Sequence, residues 1–247
     1  MSNAEYVGLS LQTALRRQMD VVANNVANIS TTGFKGERVM FLEQLSQANA
    51  ASPPGKNSLL SMVSDYGTYR DTTQGSFNET NNPLDIMLQG DGYLVVQTPQ
   101  GERYTRAGSL QLNVDGQVCD MNGFPVQGEA GPIVIPQGDT KIKISPEGGI
   151  STESGQQGNF RIVRFAKDQF PVPAGGGTFT APADQAPLPA SDTIVKQFGV
   201  EASNVQPVKE MTSMIELQRA YETVQNLLDA ENTRQRNAVD KLTNLNS

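Results

Sequence analysis

The side chains best suited to chemistry in this chain are four carboxylates, Glu79, Asp85, Asp91 and Asp115, and a single thiol, Cys119. Two carboxylates flanking a glycosidic bond supply the acid and the base or nucleophile of sugar hydrolysis, so a carbohydrate-acting enzyme is one class to weigh. Against it, Asp91 and Asp115 each precede glycine at an apparent turn, where aspartate is expected for backbone reasons. Asp85 alternates within a strand-like run. Cys119 sits in Gln117-Val118-Cys119-Asp120 and reads as a half-buried strand residue. With no histidine and one cysteine, His-based triads, zinc and iron-sulfur sites and internal disulfides drop out. The expectation is a non-enzyme with no catalytic residue, cofactor or metal.

Charge and hydropathy narrow the field further. The net charge is -7 and the 19 Lys and Arg are scattered, which lacks the basic footprint of a nucleic-acid binder. Apolar residues make up 37% and mean hydropathy is -0.40, too little for one thick core through the whole length. The start, MSNAEYVGLS, has neither the basic nor the apolar region of a secretory signal, and no apolar run nears the ~20 residues of a membrane span. The chain is expected not to insert in a membrane, and composition alone suggests the cytoplasm.

The elements that position these residues fall into three kinds. From Glu5 to Ile29, Leu11, Leu15, Met19, Val22, Val26 and Ile29 share an arc of roughly 80° at 100° per residue, which predicts an amphipathic helix. It should stop near Thr31 to Gly33, where Gly33 offers a left-handed cap and Phe34 folds back on the last turn. The opposite face carries Arg17, Asp20, Asn24 and Asn28, with Asn25 alongside. Asparagine is a poor helix former. Either this is a solvated face, or its amides meet neighbouring subunits, which we favour because a solvated face would use Glu and Lys.

Residues 36–82 show no sustained period after Leu45 and read as an extended connector. From Pro83 the period changes to two and turn dipeptides recur, Asp91-Gly92, Asp115-Gly116 and Asn122-Gly123, which predicts a small all-β sandwich or open barrel over 83–197. After Pro207 no Gly or Pro occurs, enough for a helix of ~60 Å. Its stripe steps by three and four through Met214, Leu217, Tyr221, Val224, Leu228, Glu231, Gln235, Ala238, Leu242 and Leu245, implying a supercoil with another helix. The expected fold is mixed α and β: long N- and C-terminal helices (1–35 and 198–247) forming an α-helical coiled-coil domain, flanking a central all-β domain. The first helix is too short to cover the second, so contact between subunits is expected past Glu231.

Three stretches resemble the flagellar rod and hook family. They are Ala23-Asn24-Asn25-Val26-Ala27-Asn28-Ile29-Ser30-Thr31-Thr32-Gly33-Phe34-Lys35; the run from Asn82-Pro83-Leu84-Asp85 through Gly92-Tyr93-Leu94-Val95-Val96 to Tyr104-Thr105-Arg106-Ala107-Gly108; and Glu201-Ala202-Ser203-Asn204-Val205 with Met214 to Glu222. Length and the compact connector are most similar to the family's proximal-rod member, with the distal-rod member a close second.

The resemblance implies a structural subunit of the basal-body rod, the drive shaft crossing the periplasm. It implies helical polymerisation with itself and other rod proteins, and passage through the flagellar type III export apparatus without a cleaved signal peptide, which replaces the cytoplasmic expectation. The expected assembly interface is Leu11, Leu15, Met19, Val22, Asn24, Asn25, Val26, Asn28, Ile29, Gly33, Phe34, Met214, Leu217, Tyr221, Val224, Leu228, Glu231, Gln235 and Leu242. A secreted module with a trimeric coiled-coil stalk and a β recognition domain is the remaining alternative.

Overall fold

A computed structural model describes residues 3–47, 59–166, 171–182 and 186–244. Contacts divide the chain into two compact units. The helical unit comprises residues 1–27, 36–71 and 205–247, and the β unit residues 28–35 and 72–204.

In the helical unit, α1 spans Asn3–Ala27 and α2 spans Pro207–Asn244, 25 and 38 residues long. Proline opens α2, where its fixed φ suits the first helical position and its missing N–H is no loss. Gly8 of α1 lies against Leu228, so close that a Cβ at Gly8 would stand 2.6 Å from a Leu228 methyl. Near the other end of α1, Asn25 reaches Glu210 in the first turn of α2. The two contacts are 17 residues apart on α1 and 18 on α2 (25 minus 8; 228 minus 210), as antiparallel neighbours require.

The expected coiled-coil domain is corrected here. Two helices are present among the described residues, and α1 packs against a β-hairpin as well as against α2. On α2 the repeating stripe does turn inward, with Leu217 and Val224 buried. On α1 the expected stripe does not match it. From Leu11 to its end the buried positions are Ala14, Val21, Val22 and Asn25, while Leu11 is exposed and Leu15 and Met19 are half-buried. A helix that must serve a hairpin and another helix together cannot keep one seven-residue seam, so its buried face turns toward Asn25.

The hairpin occupies much of the segment read as a connector: β1 (Glu37–Gln47) pairs antiparallel with β2 (Leu59–Arg70), from Glu37 opposite Arg70 to Gln47 opposite Leu59. A register shift between Met40 and Phe41 marks a bulge, which explains why no clean alternation is visible in the sequence.

The β unit is organised by an antiparallel six-stranded sheet in the order Val172–Gly175, Thr178–Thr180, Gly101–Thr105, Tyr93–Thr98, Ile162–Arg164, Leu188–Pro189. Alternation along Tyr93–Thr98 feeds two separate cores. Leu94 and Val96 join Ile86, Leu88, Leu110, Val118, Ile150 and Phe160 in the larger one. Val95 joins Tyr104, Val163 and Phe179 in the smaller, where the Tyr93 ring meets Phe165 and Phe179 edge-on at 5.4 and 5.8 Å.

Short strand pairs close the larger core, among them Ile86–Gln89 with Ile194–Gln197 and Phe77–Glu79 with Gly199–Glu201. Gly116, at φ +75°, turns the hairpin between Leu110–Leu112 and Val118–Asp120 as its Asp-Gly signal suggests. Asp91-Gly92 instead lies at a corner, because the strands on either side of it belong to different sheets. The run Ile133 to Ile135 buries both isoleucines without forming a continuous strand; only an isolated bridge ties Val134 to Gln117.

Candidate assembly elements and their polar locks

The signature segment after α1 is short, and every turn of it is held. Ala27 ends the helix sooner than β-branched Thr31 and Thr32 suggest, because Asn28 starts turn chemistry of its own: its carbonyl accepts from Thr31 N–H and its side-chain oxygen from the Thr31 hydroxyl. Gly33 adopts φ +67°. It occupies the left-handed position expected of it, but against the β unit: a Cβ there would stand 2.7 Å from the Arg106 carbonyl, and its N–H donates to the Glu201 carbonyl at 2.8 Å.

Two residues later, Lys35 is 5% exposed and donates through Nζ to Glu201 Oε1 at 2.6 Å and to the Thr73 carbonyl at 2.7 Å. The other Glu201 oxygen accepts from Arg106 Nε at 2.9 Å, and Gly75 N–H adds a bond to Oε1 at 2.8 Å. Arg106 spends its remaining donors on the carbonyls of Gly92, Leu88 and Gly90. Burial alone would raise the Glu201 carboxyl; Arg106, Lys35 and the Gly75 N–H outweigh it and hold the group below the ordinary carboxylate range. One carboxylate therefore ties Asn28–Lys35 to a body of which it is not a sequence neighbour. Lys35, Arg106 and Glu201 each fall within a family-like stretch, yet nothing in their spacing announces that they meet.

In the helical unit the counterpart is Asn25, 1% exposed. Its side-chain oxygen accepts from Glu37 N–H at 2.8 Å and its amide donates to the Glu37 carbonyl at 2.9 Å. The same amide reaches Glu210 Oε2 at 3.3 Å, and Glu210 Oε1 pairs with Arg38 at 2.9 Å. The expectation that the asparagine amides reach neighbouring subunits does not describe Asn25, whose amide is committed inside the chain. Asn24 is exposed and Asn28 half-buried.

Of the other residues expected at an interface, Val22, Leu217 and Val224 are buried within the unit. Leu15, Met19, Val26, Ile29, Phe34, Met214, Tyr221, Leu228, Glu231 and Gln235 are half-buried, and Leu11 is exposed. The side chain of Leu242 lies outside what is described, as does Leu245. The large apolar side chains most open on the helices were not singled out by periodicity: Tyr6 and Leu9 on α1, and Val208, Met211, Ile215 and Leu227 on α2, with Val208 79% exposed. Val208, Met211 and Ile215 follow steps of three and four, the signal that could have found them.

The candidate chemical residues do not assemble. Asp85 is buried and accepts from the hydroxyls of Thr80 and Ser109 and from the Asn82 amide at 2.7, 3.4 and 3.0 Å, a turn-organising role. Glu79, Asp91 and Asp115 are exposed. Burial, and then Asp120, push the Cys119 thiol up, away from the reactive thiolate. Among the described residues no group of His, Cys, Asp and Glu is placed to hold a metal ion, and no helix is long and apolar enough to cross a membrane.

Comparison with known proteins gives these elements a context. Residues 6–35 match a family model described as flagella basal body rod protein, 87–152 the flagellar hook protein FlgE/F/G D1 domain, and 196–241 the flagellar basal body rod FlgEFG protein C-terminal region. The flagellar basal-body rod protein FlgF of Caulobacter vibrioides is 38% identical over 253 residues, covering 100% of both chains. The chain belongs to the flagellar basal-body rod protein family. This is a family of structural proteins and not of enzymes. The FlgG protein of the same organism is 34% identical over 232 residues, covering 85% of this chain and 87% of its own. FlgF of Salmonella typhimurium is 33% identical, covering 90% and 91%. The rod-family matches at the two ends fall on α1 with its signature turn and on most of α2, and the hook-type D1 match on the middle of the β unit.

Proposed function

We propose that this chain is an axial subunit of the basal-body rod, of the FlgF kind, which polymerises helically with itself and with other rod proteins through its terminal helices. The observation that carries this is the end-to-end match to a FlgF protein. Supporting it, α1 and α2 leave Tyr6, Leu9, Val208, Met211 and Ile215 open to solvent, an apolar surface that heterologous contacts between successive subunits would cover while propagating a helical array. The chain travels through the flagellar type III export apparatus without a cleaved signal peptide and takes its place where the rod crosses the periplasm. A FlgG-like, distal position is the second reading, favoured by the 34% identity to FlgG and weakened by that match's shorter coverage.

Reconstruction of intact basal bodies by electron cryo-microscopy tests this, with side-chain density used to identify the chain. The expected result is this chain in the rod, proximal to a second rod protein, with α1 and α2 lining the axial core. A closed trimer of the purified chain that never joins the rod would overturn it.

A further inference from the structure

Asn122-Gly123 is the one Asn-Gly pair in the chain. Asparagine followed by glycine is especially open to spontaneous ring closure, because no Cβ shields the glycine nitrogen from the asparagine side chain. In that reaction the Gly123 nitrogen attacks Cγ of Asn122. A nitrogen–carbon bond forms, the Cγ–Nδ2 bond breaks, and the Gly123 proton passes through water to the departing nitrogen, which leaves as ammonia. Water then opens the succinimide at one of its two carbonyls and leaves aspartate or isoaspartate at position 122. Water is the only co-reactant.

The turn that carries the pair holds both reacting groups. Asp120 and Phe124 close a three-residue loop: Asp120 N–H donates to the Phe124 carbonyl at 2.9 Å, and Gly123, at φ +83°, donates its N–H to the Asp120 carbonyl at 3.0 Å. Oδ1 of the buried Asp120 accepts from the N–H groups on either side of Gly123, those of Asn122 and Phe124, at 2.9 and 2.8 Å. Its negative charge there disfavours loss of the Gly123 proton, which attack needs. The electrophile is held as well, since Nδ2 of Asn122 donates to Asp120 Oδ2 at 3.0 Å and to the Gly176 carbonyl at 2.9 Å. Gly176 lies against that amide, where a Cβ would stand 3.2 Å from Asn122 Oδ1. Ring closure therefore requires the Gly123 N–H and the Asn122 amide to give up their partners together.

We infer that Asn122 is a modification site, a point of spontaneous deamidation that the fold closes and an unfolded chain leaves open. In the unfolded chain these bonds do not persist, and Asn122-Gly123 reacts as it would in a short peptide. In the native chain conversion waits for a local opening of residues 120–124. An acid at position 122 is therefore a record of time spent unfolded. It also lacks the donor that ties this turn to Gly176 and sets a second carboxylate beside that of Asp120, so a marked chain refolds without the tie.

Peptide mapping of the full-length chain by mass spectrometry, after incubation at mildly alkaline pH with and without denaturant, reads this directly. Conversion at Asn122 should run about tenfold faster or more in denaturant than in the native chain, and there it should outpace every other asparagine. Gly123→Ala should slow the denatured reaction about tenfold, since a methyl group then shields the nitrogen. Asp120→Asn keeps the Oδ1 acceptor but removes the charge and the Oδ2 acceptor. With Cys119 still shielded from thiol labelling, conversion in this native variant should rise about fivefold or more. If the variant exposes Cys119, the comparison of the parent with and without denaturant decides alone. Equal rates at Asn122 in the two conditions overturn the inference, as does faster conversion at another asparagine of the denatured chain. A folded Asp120→Asn that converts no faster than the parent overturns the part given to Asp120.

Discussion

The β unit and the helical unit each enclose a polar lock around a buried carboxylate, but they differ in the apolar side chains they leave open to solvent. In the β unit the Lys35, Glu201 and Arg106 cluster sits beside two apolar clusters, with Ile86, Leu94, Val95, Val96, Val118 and Val126 wholly buried. In the helical unit the lock of Asn25, Arg38 and Glu210 accompanies five buried apolar side chains among the described residues, one of them an alanine. At roughly 1.5–3 kcal/mol per large apolar side chain buried, the two clusters let the β unit meet its chain entropy alone. The difference teaches where assembly enters. A unit that holds its own core is ready as a folded block, whereas one that leaves Val208, Met211 and Ile215 in water gains most from a neighbour.

The largest effect should come from removing Glu201. Glu201→Ala strands Lys35 and Arg106, both 5% exposed, and should cost about 3–5 kcal/mol, read as a shift of the β-unit transition in denaturant unfolding followed by labelling of the buried Cys119 thiol, the one cysteine of the chain. The same carboxyl gives a pH test. Because its folded pKa is depressed, its contribution is complete above the ordinary glutamate value of about 4.3 and is lost as pH falls from there through the lower folded value. Parent stability should therefore drop across that acid window more steeply than that of Glu201→Gln.

Next in size, Leu94→Ala, at a wholly buried position of the larger core, should cost about 2–5 kcal/mol in the same transition and leave the helical signal at 222 nm alone. If both signals move together, the two units do not unfold separately and the contrast fails. Val224→Ala removes two methyl groups from a buried position of α2, at about 0.8 kcal/mol each. Its loss of about 1.5 kcal/mol should appear at 222 nm only, and it should lower the helical midpoint before any change in the β signal.

The smallest change is expected at Gly8→Ala. The new methyl would lie 2.6 Å from the flexible end of Leu228, while the helix gains about 1 kcal/mol in propensity. Thermal unfolding should place the variant within about 1 kcal/mol of the parent. A large loss would show that Leu228 has no room to yield and that the helix pair is tightly fitted at Gly8.

How much of this was legible beforehand varies with the range of the interaction. The Asp115-Gly116 turn is a short-range fact of residue type and lies where the sequence puts it, whereas α1 ends at Ala27, short of the stop expected near Thr31 to Gly33. The hairpin at Glu37–Gln47 and Leu59–Arg70 was not legible, because its bulge breaks the alternation that would mark it. Nor was the face of α1 that turns inward. Periodicity finds the most apolar arc, and here packing also buries small Ala14 and polar Asn25, the latter where a strand and α2 both approach. Burial divides the expected assembly residues: Asn25, Val22, Leu217 and Val224 are spent within the chain, while Tyr6, Leu9, Val208, Met211 and Ile215, none of them singled out by periodicity, remain open.

Sequence by itself determined the kind of protein. A chain without histidine, with one cysteine and with family-like stretches at both ends and in the β region was readable as a structural rod subunit, because composition and local motifs survive in one dimension. Only the tertiary structure decided which residues hold it together. Lys35, Arg106 and Glu201 lie far apart along the chain, as Glu210 does from Asn25 and Arg38. A buried charge declares its partner only when folding has removed the water that would otherwise serve both.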